Sequence, residues 1–75
     1  MTVYRFKKGR TYETKLGHRA EVLSVGIKQI KVKCDWIENE FYVCVHKDRD
    51  GNEFALVGEL WGNIVRLEAK NEVRV

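Results

Sequence analysis

The stretch Ile30-Lys31-Val32-Lys33-Cys34-Asp35-Trp36, followed by Phe41-Tyr42-Val43-Cys44-Val45-His46-Lys47, decides the fold class. In the first segment Ile30, Val32, Cys34 and Trp36 alternate with Lys31, Lys33 and Asp35. In the second, Phe41, Val43 and Val45 alternate with Tyr42, Cys44 and His46. An extended chain sends successive side chains to opposite faces, so a period of two predicts strands with one face turned to a core. The absence of proline leaves every backbone N–H free to enter a ladder.

Working outward, the same reading predicts strands over 2–6, 11–14, 20–25, 27–36, 41–47, 53–57 and 64–67. In the third strand of this series, over 20–25, Val22 and Val25 are expected on opposite faces. Lys7-Lys8-Gly9-Arg10 reads as a basic turn, Leu16-Gly17-His18 as a break and Glu38-Asn39-Glu40 as a short turn. Asp48-Arg49-Asp50-Gly51-Asn52 is a hairpin signal, because Asp-Gly supplies the positive φ values of tight turns. Gly58 marks a bulge or a strand end, and Leu60-Trp61-Gly62-Asn63 a second turn. Lys70 to Val75 reads as a tail or an edge strand through Val73 and Val75. No helix of normal length is predicted.

Five to six short antiparallel strands joined by glycine turns predict an all-β domain, a small SH3-like barrel first and an OB-like barrel second. Curling the sheet removes exposed edges. The expected core is Val3, Val22, Ile30, Val32, Phe41, Val43, Val45, Leu56, Ile64 and Leu67.

The chain has 75 residues, enough for one small domain over 1–75. Its longest apolar run, Phe41 to Val45, falls far short of the roughly 20 residues of a membrane span. The opening Met-Thr-Val-Tyr-Arg-Phe-Lys-Lys lacks the apolar stretch of a signal peptide, which predicts a cytoplasmic protein with no membrane partner. Two cysteines do not make a disulfide framework, so Cys34 and Cys44 are expected as free thiols. Without a stapling device, a domain this small is expected to gain burial from a partner or a homo-oligomer. Net charge is +3, split into +7 over residues 1–34 and −4 over residues 35–75. That asymmetry predicts one basic and one acidic surface.

The series Thr11-Tyr-Glu-Thr-Lys-Leu-Gly-His-Arg-Ala-Glu-Val-Leu23, then a strand pair, then Asp50-Gly51, then Trp61-Gly-Asn-Ile-Val-Arg-Leu67 resembles small SH3-like proteins carried by phages and other mobile elements. The resemblance covers residues 9–67. It implies the barrel and little about activity, since most members have no known function. The plasmid-borne SH3-like dihydrofolate reductases carry a Val-Gln-Ile-Tyr signature, and Ile64-Val65-Arg66-Leu67 on the comparable late strand does not match it.

The residue types offer four chemistries. Cys34, Cys44 and His46, with His18 or Asp35 as a fourth ligand, offer zinc-type donors, but the short Cys-x-x-Cys spacing is missing and Cys34 sits in an apolar stripe. The expectation is no metal and no cofactor. Either cysteine with a histidine is the minimum for nucleophilic catalysis, yet no nucleophile elbow or phosphate loop is present, and no enzyme or small-molecule substrate is expected. Lys7, Lys8, Arg10, Lys31 and Lys33, with tyrosines as stacking platforms, are the candidate nucleic-acid surface. Tyr42, Cys44 and His46 on the outward face of one strand, with Trp61 in a turn, form an aromatic patch of the kind found at protein interfaces. The reading adopted is a non-enzymatic binding or adaptor module acting through protein–protein or self-association. Nucleic-acid binding through the basic N-terminal half is the alternative.

Overall fold

The computed structural model describes residues 2–73 and is all-β. Its seven strands are β1 (Thr11–Glu13), β2 (Arg19–Val25), β3 (Gln29–Cys34), β4 (Phe41–Cys44), β5 (His46–Lys47), β6 (Glu53–Leu60) and β7 (Asn63–Glu68), followed by a 3-10 turn at Ala69–Asn71. All pairings are antiparallel. They form a four-stranded sheet, β1-β2-β3-β4, and a three-stranded sheet, β5-β6-β7. The ladder is therefore divided between two sheets. Among the described residues there is no α-helix, and none that could cross a membrane.

The period-two signal in the central segments is borne out at the level of sheet: Ile30, Val32 and Cys34 are buried from β3, opposite Val43, Phe41 and Ala20. Seven strands stand against the expected five or six: the segment 2–6 forms none, and the 41–47 strand breaks at Val45 into two. Residues before the break pair with β3, and those after it pair with β6. One extended segment thus hands the chain from one sheet to the other, with Val45 N–H still bonded to Lys28 O at 2.8 Å.

Residues 2–6 are not a strand. Their backbone is held largely by side chains of the 48–53 hairpin: Tyr4 N–H donates to Asn52 Oδ1 (2.9 Å) and Phe6 N–H to Glu53 Oε1 (2.8 Å), while Glu53 N–H donates to Tyr4 O (3.0 Å). That hairpin turn follows its sequence signal. Gly51 takes φ 85°, and Asp48 Oδ1 accepts from the N–H groups of Asp50 and Asn52, both at 2.9 Å.

A bulge between Val22 and Ser24 corrects one expectation. The register sets Val22 opposite Val32 and Val25 opposite Ile30, so Val22 and Val25 share a face. Gly58 (φ 125°) lies in a second register shift, between Leu56 and Glu59. The segment after β7 returns to β1: Glu72 bridges Tyr12, and Val73 N–H donates to Thr11 O at 2.8 Å. Val75 lies outside the described residues.

The core consists of Phe6, Tyr12, Ala20, Val22, Ile30, Val32, Cys34, Ala55, Val57, Val65, Leu67 and Ala69. Phe41, Val43 and Val45 pack against it half-buried, while Val3, Leu56 and Ile64 are exposed. The last two fail for a physical reason. Residues 54–57 and 64–65 are apolar in both phases, so alternation does not say which phase is inward. The pairing does: Leu56 lies opposite Arg66 on the outer face, and Ala55 lies opposite Leu67 on the inner one.

Tyr12 is fully buried, stands edge-on to Phe6 (centroids 5.0 Å, 84°) and accepts a hydrogen bond from Lys7 N–H at its hydroxyl (2.9 Å). Burial raises its pKa, partly offset by that hydrogen bond. Replacing Tyr12 with Phe keeps the ring and removes the acceptor. We expect a loss of about 1 kcal/mol in urea denaturation, without change in the far-ultraviolet dichroism.

Candidate functional site

Tyr42 and Cys44 are two apart in β4 and face outward, opposite Lys31 and Gln29 of β3. Tyr42 is 64% exposed and stands where two apolar depressions meet. One, of about 700 Å³, is lined by the 24–29 turn together with Tyr42 and Cys44. Ile27 at the tip of that turn is wholly exposed, with Val25 beside it also exposed. The other, of about 460 Å³, is a groove lined by Ile37, Asn39 and Glu40 of the turn before β4, by Phe41, Tyr42 and Val43 of β4, and by Leu56, Val57 and Gly58 of β6. This groove follows from the break at Val45. Pairing with β6 begins only at His46–Phe54, so β4 diverges from β6 and leaves the seam between them unladdered.

His46 does not join Tyr42 and Cys44. It lies past the break, in the second sheet, with its ring 5.5 Å from Phe54. Phe54 also carries the Arg66 guanidinium 3.6 Å above its ring. Trp61 lines neither depression. It occupies the tip of the β6–β7 hairpin, 86% exposed, in a two-residue turn between the paired Leu60 and Asn63. Its φ is 54° and that of Gly62 is 81°. Both values belong to the turn type that favours Asn-Gly, because a side chain at positive φ crowds the backbone. Trp61 is the one non-glycine residue at positive φ among those described. Replacing it with Asn should raise unfolding stability by up to about 1 kcal/mol, measured on dilute protein, because Asn tolerates that conformation better.

The basic residues do not form one surface. Lys7 and Arg10 share a depression with Arg19, which Glu72 also lines; Lys8 is exposed outside it. Arg10 pairs with Glu72 (2.9 Å) and Arg19 with Glu13 (3.3 Å). Lys31 and Lys33 stand two strands away on β3. Lys31 pairs with Glu40 (3.3 Å) and lies 5.7 Å above the Tyr42 ring. Lys33 donates to Cys34 O (3.0 Å) and to Ile37 O, fastening the turn that follows β3.

The cysteines point apart. Cys34 is buried in the core and Cys44 is exposed. Asp35 is engaged by His18 Nδ1 and by Arg19 N–H, both at 3.0 Å, while the His18 ring tilts against Trp36. Among the described residues no three or more cysteine, histidine or acidic side chains are grouped to hold a metal ion. Trp36 Nε1 is buried and finds no acceptor among those residues.

Val25, Ile27 and Leu56 belong to the exposed apolar surface and are not among the site residues expected from sequence, which places Leu56 in the core. Ile27, a β-branched residue between Gly26 and Lys28 in a tight turn, was the readable signal. No protein family, no curated protein and no solved structure matches this chain.

Burial pushes the Cys34 thiol up to about 11, with Asp35 adding to the effect and Lys33 opposing it. The unfolded thiol, ionising near 9, then becomes the better acid. The contribution of Cys34 to stability is complete below pH 9. It is lost between pH 9 and 11, at no more than about 1.4 kcal/mol per pH unit. Comparing unfolding curves of the wild type and Cys34→Ala across this range should show the steeper decline in the wild type. Under native conditions at pH 8, iodoacetamide should label Cys44 and spare Cys34, as read by peptide mass.

Proposed function

We propose that this chain is a non-enzymatic binding module, an open SH3-like β-barrel that associates with a protein partner or with itself through the surface around Tyr42. The observation that carries the reading is the position of Tyr42 between two apolar depressions, bordered by exposed Val25, Ile27 and Leu56. Solvated β-sheet faces seldom gather large apolar side chains around hollows, whereas interface centres do. The barrel reading is supported by two closures. The 41–47 segment runs from one sheet into the other, and the 72–73 segment returns to β1. We place the module in the cytoplasm, where both thiols stay reduced.

The nucleic-acid alternative draws on the shared depression of Lys7, Arg10 and Arg19. It is the weaker reading, because carboxylates already engage both arginines and Lys31, while carbonyl oxygens take Lys33.

Cys44 lies within the proposed surface and carries the test. A benzophenone attached there should, on illumination in an extract of the native host, form adducts with a discrete protein or with a second copy. These adducts should be lost in Tyr42→Glu while the dichroism spectrum is kept. Adducts equally abundant with and without Tyr42 would count against the surface.

A further inference from the structure

Trp61 serves neither its turn nor the core. It is exposed, and it holds a backbone conformation that Asn or Gly adopts with less strain. Backbone strain carried by a residue that packs against nothing in its own fold points to contact outside that fold. The same hairpin that lifts Trp61 also forms one wall of the apolar groove, through Leu56, Val57 and Gly58. Gly58 precedes Trp61 by three residues, roughly 10 Å of extended chain.

We propose that two copies of this chain exchange Trp61, the indole of each entering the groove lined by Tyr42, Leu56 and Gly58 on the other. A knob and a hollow this close on one hairpin suit a two-fold axis beside it, which satisfies both contacts at once and closes the assembly at two copies. The unpaired charges agree. Lys15 lines a hollow with Leu16, Asn63 and the exposed Ile64, beside the hairpin end that presents Trp61, and Glu38 lies in the loop that carries the lip of the groove. Both are exposed and stand in no ion pair among the described residues, whereas Arg66 is engaged by Glu68 and Glu40 by Lys31. In a Trp61 exchange Lys15 of one copy meets Glu38 of the other. Gly58 suits the groove wall, where a methyl group would stand 3.7 Å from Ile37 Cδ1 and narrow the space. A standard interface covers roughly 800 Å² per partner. That is about a seventh of the 5456 Å² surface of this chain, the area the exchange must cover.

This inference rests on the binding-surface reading above and specifies its occupant. Sedimentation equilibrium tests it with the full chain. The wild type should move from a monomer of 8.8 kDa to twice that mass as concentration rises through the micromolar to millimolar range. Trp61→Asn should remain monomeric at least tenfold further up the series while unfolding no more easily when dilute. Leu56→Glu, which charges the groove wall and leaves the indole in place, should also be monomeric. Mixing the two variants should restore a heterodimer, because one intact knob then meets one intact groove. A wild type that stays monomeric to millimolar concentration would overturn the exchange, as would a Trp61→Asn dimer of unchanged affinity or a mixture that fails to pair. Cross-linking from Cys44 that still depends on Tyr42 in a monomeric wild type would leave the surface assigned to a different protein.

Discussion

The fold turns on one buried phenol. Tyr12 lies in a strand of only three residues, yet three segments, the last of them from the far end of the chain, converge on it. Its hydroxyl holds the backbone of Lys7, its ring packs edge-on against Phe6, and its own backbone pairs with Ala20 on one side and Glu72 on the other. Desolvating a hydroxyl is unfavourable unless it finds a partner, and here the partner is the N–H of the very segment that must be brought in. A polar tip on an apolar body thus fixes where the first residues run, while the surrounding apolar side chains supply the burial.

The surface is shaped by the way the two sheets meet. Because the chain crosses between them at Val45 instead of pairing with β6 along its full length, β4 and β6 part company, and the gap exposes Tyr42 and Leu56 across from each other. The same crossing sends His46 away from Tyr42 and onto Phe54, under the influence of a different sheet. Where the ladder continues, charges are mutually satisfied, as between Arg19 and Glu13 or Lys31 and Glu40. Where it stops, the exposed groups are largely apolar.

Much of the β3 and β4 region was legible because alternation there is strict. Lys31 and Lys33 can face only one way once Ile30 and Val32 face the core, and Tyr42 and Cys44 follow. Legibility faded where apolar residues fill both phases, as in Phe54-Ala55-Leu56-Val57, since burial then depends on the partner strand. It also faded where a side chain replaces the ladder, as Asn52 and Glu53 do for Tyr4 and Phe6. Charge layout misled most. Nine basic residues in the first 34 positions suggest a basic surface, but folding brings carboxylates from distant positions, such as Glu72 to Arg10, and these neutralise it locally. Tyr42 was readable as an outward aromatic. The groove beside it was not, because a groove arises from the divergence of two strands and leaves no periodic trace in either.

The return of residues 72–73 to β1 bears on how the molecule comes into being. Thr11 receives its hydrogen bond from Val73, and Tyr4 receives its own from Glu53, so two of the seams that define the architecture join residues synthesised far apart in time. A nascent chain that has released only the first four strands carries an unclosed border at β1 and an uncovered aromatic interior. Topologies governed by such remote contacts acquire their final form slowly, on the order of milliseconds to seconds.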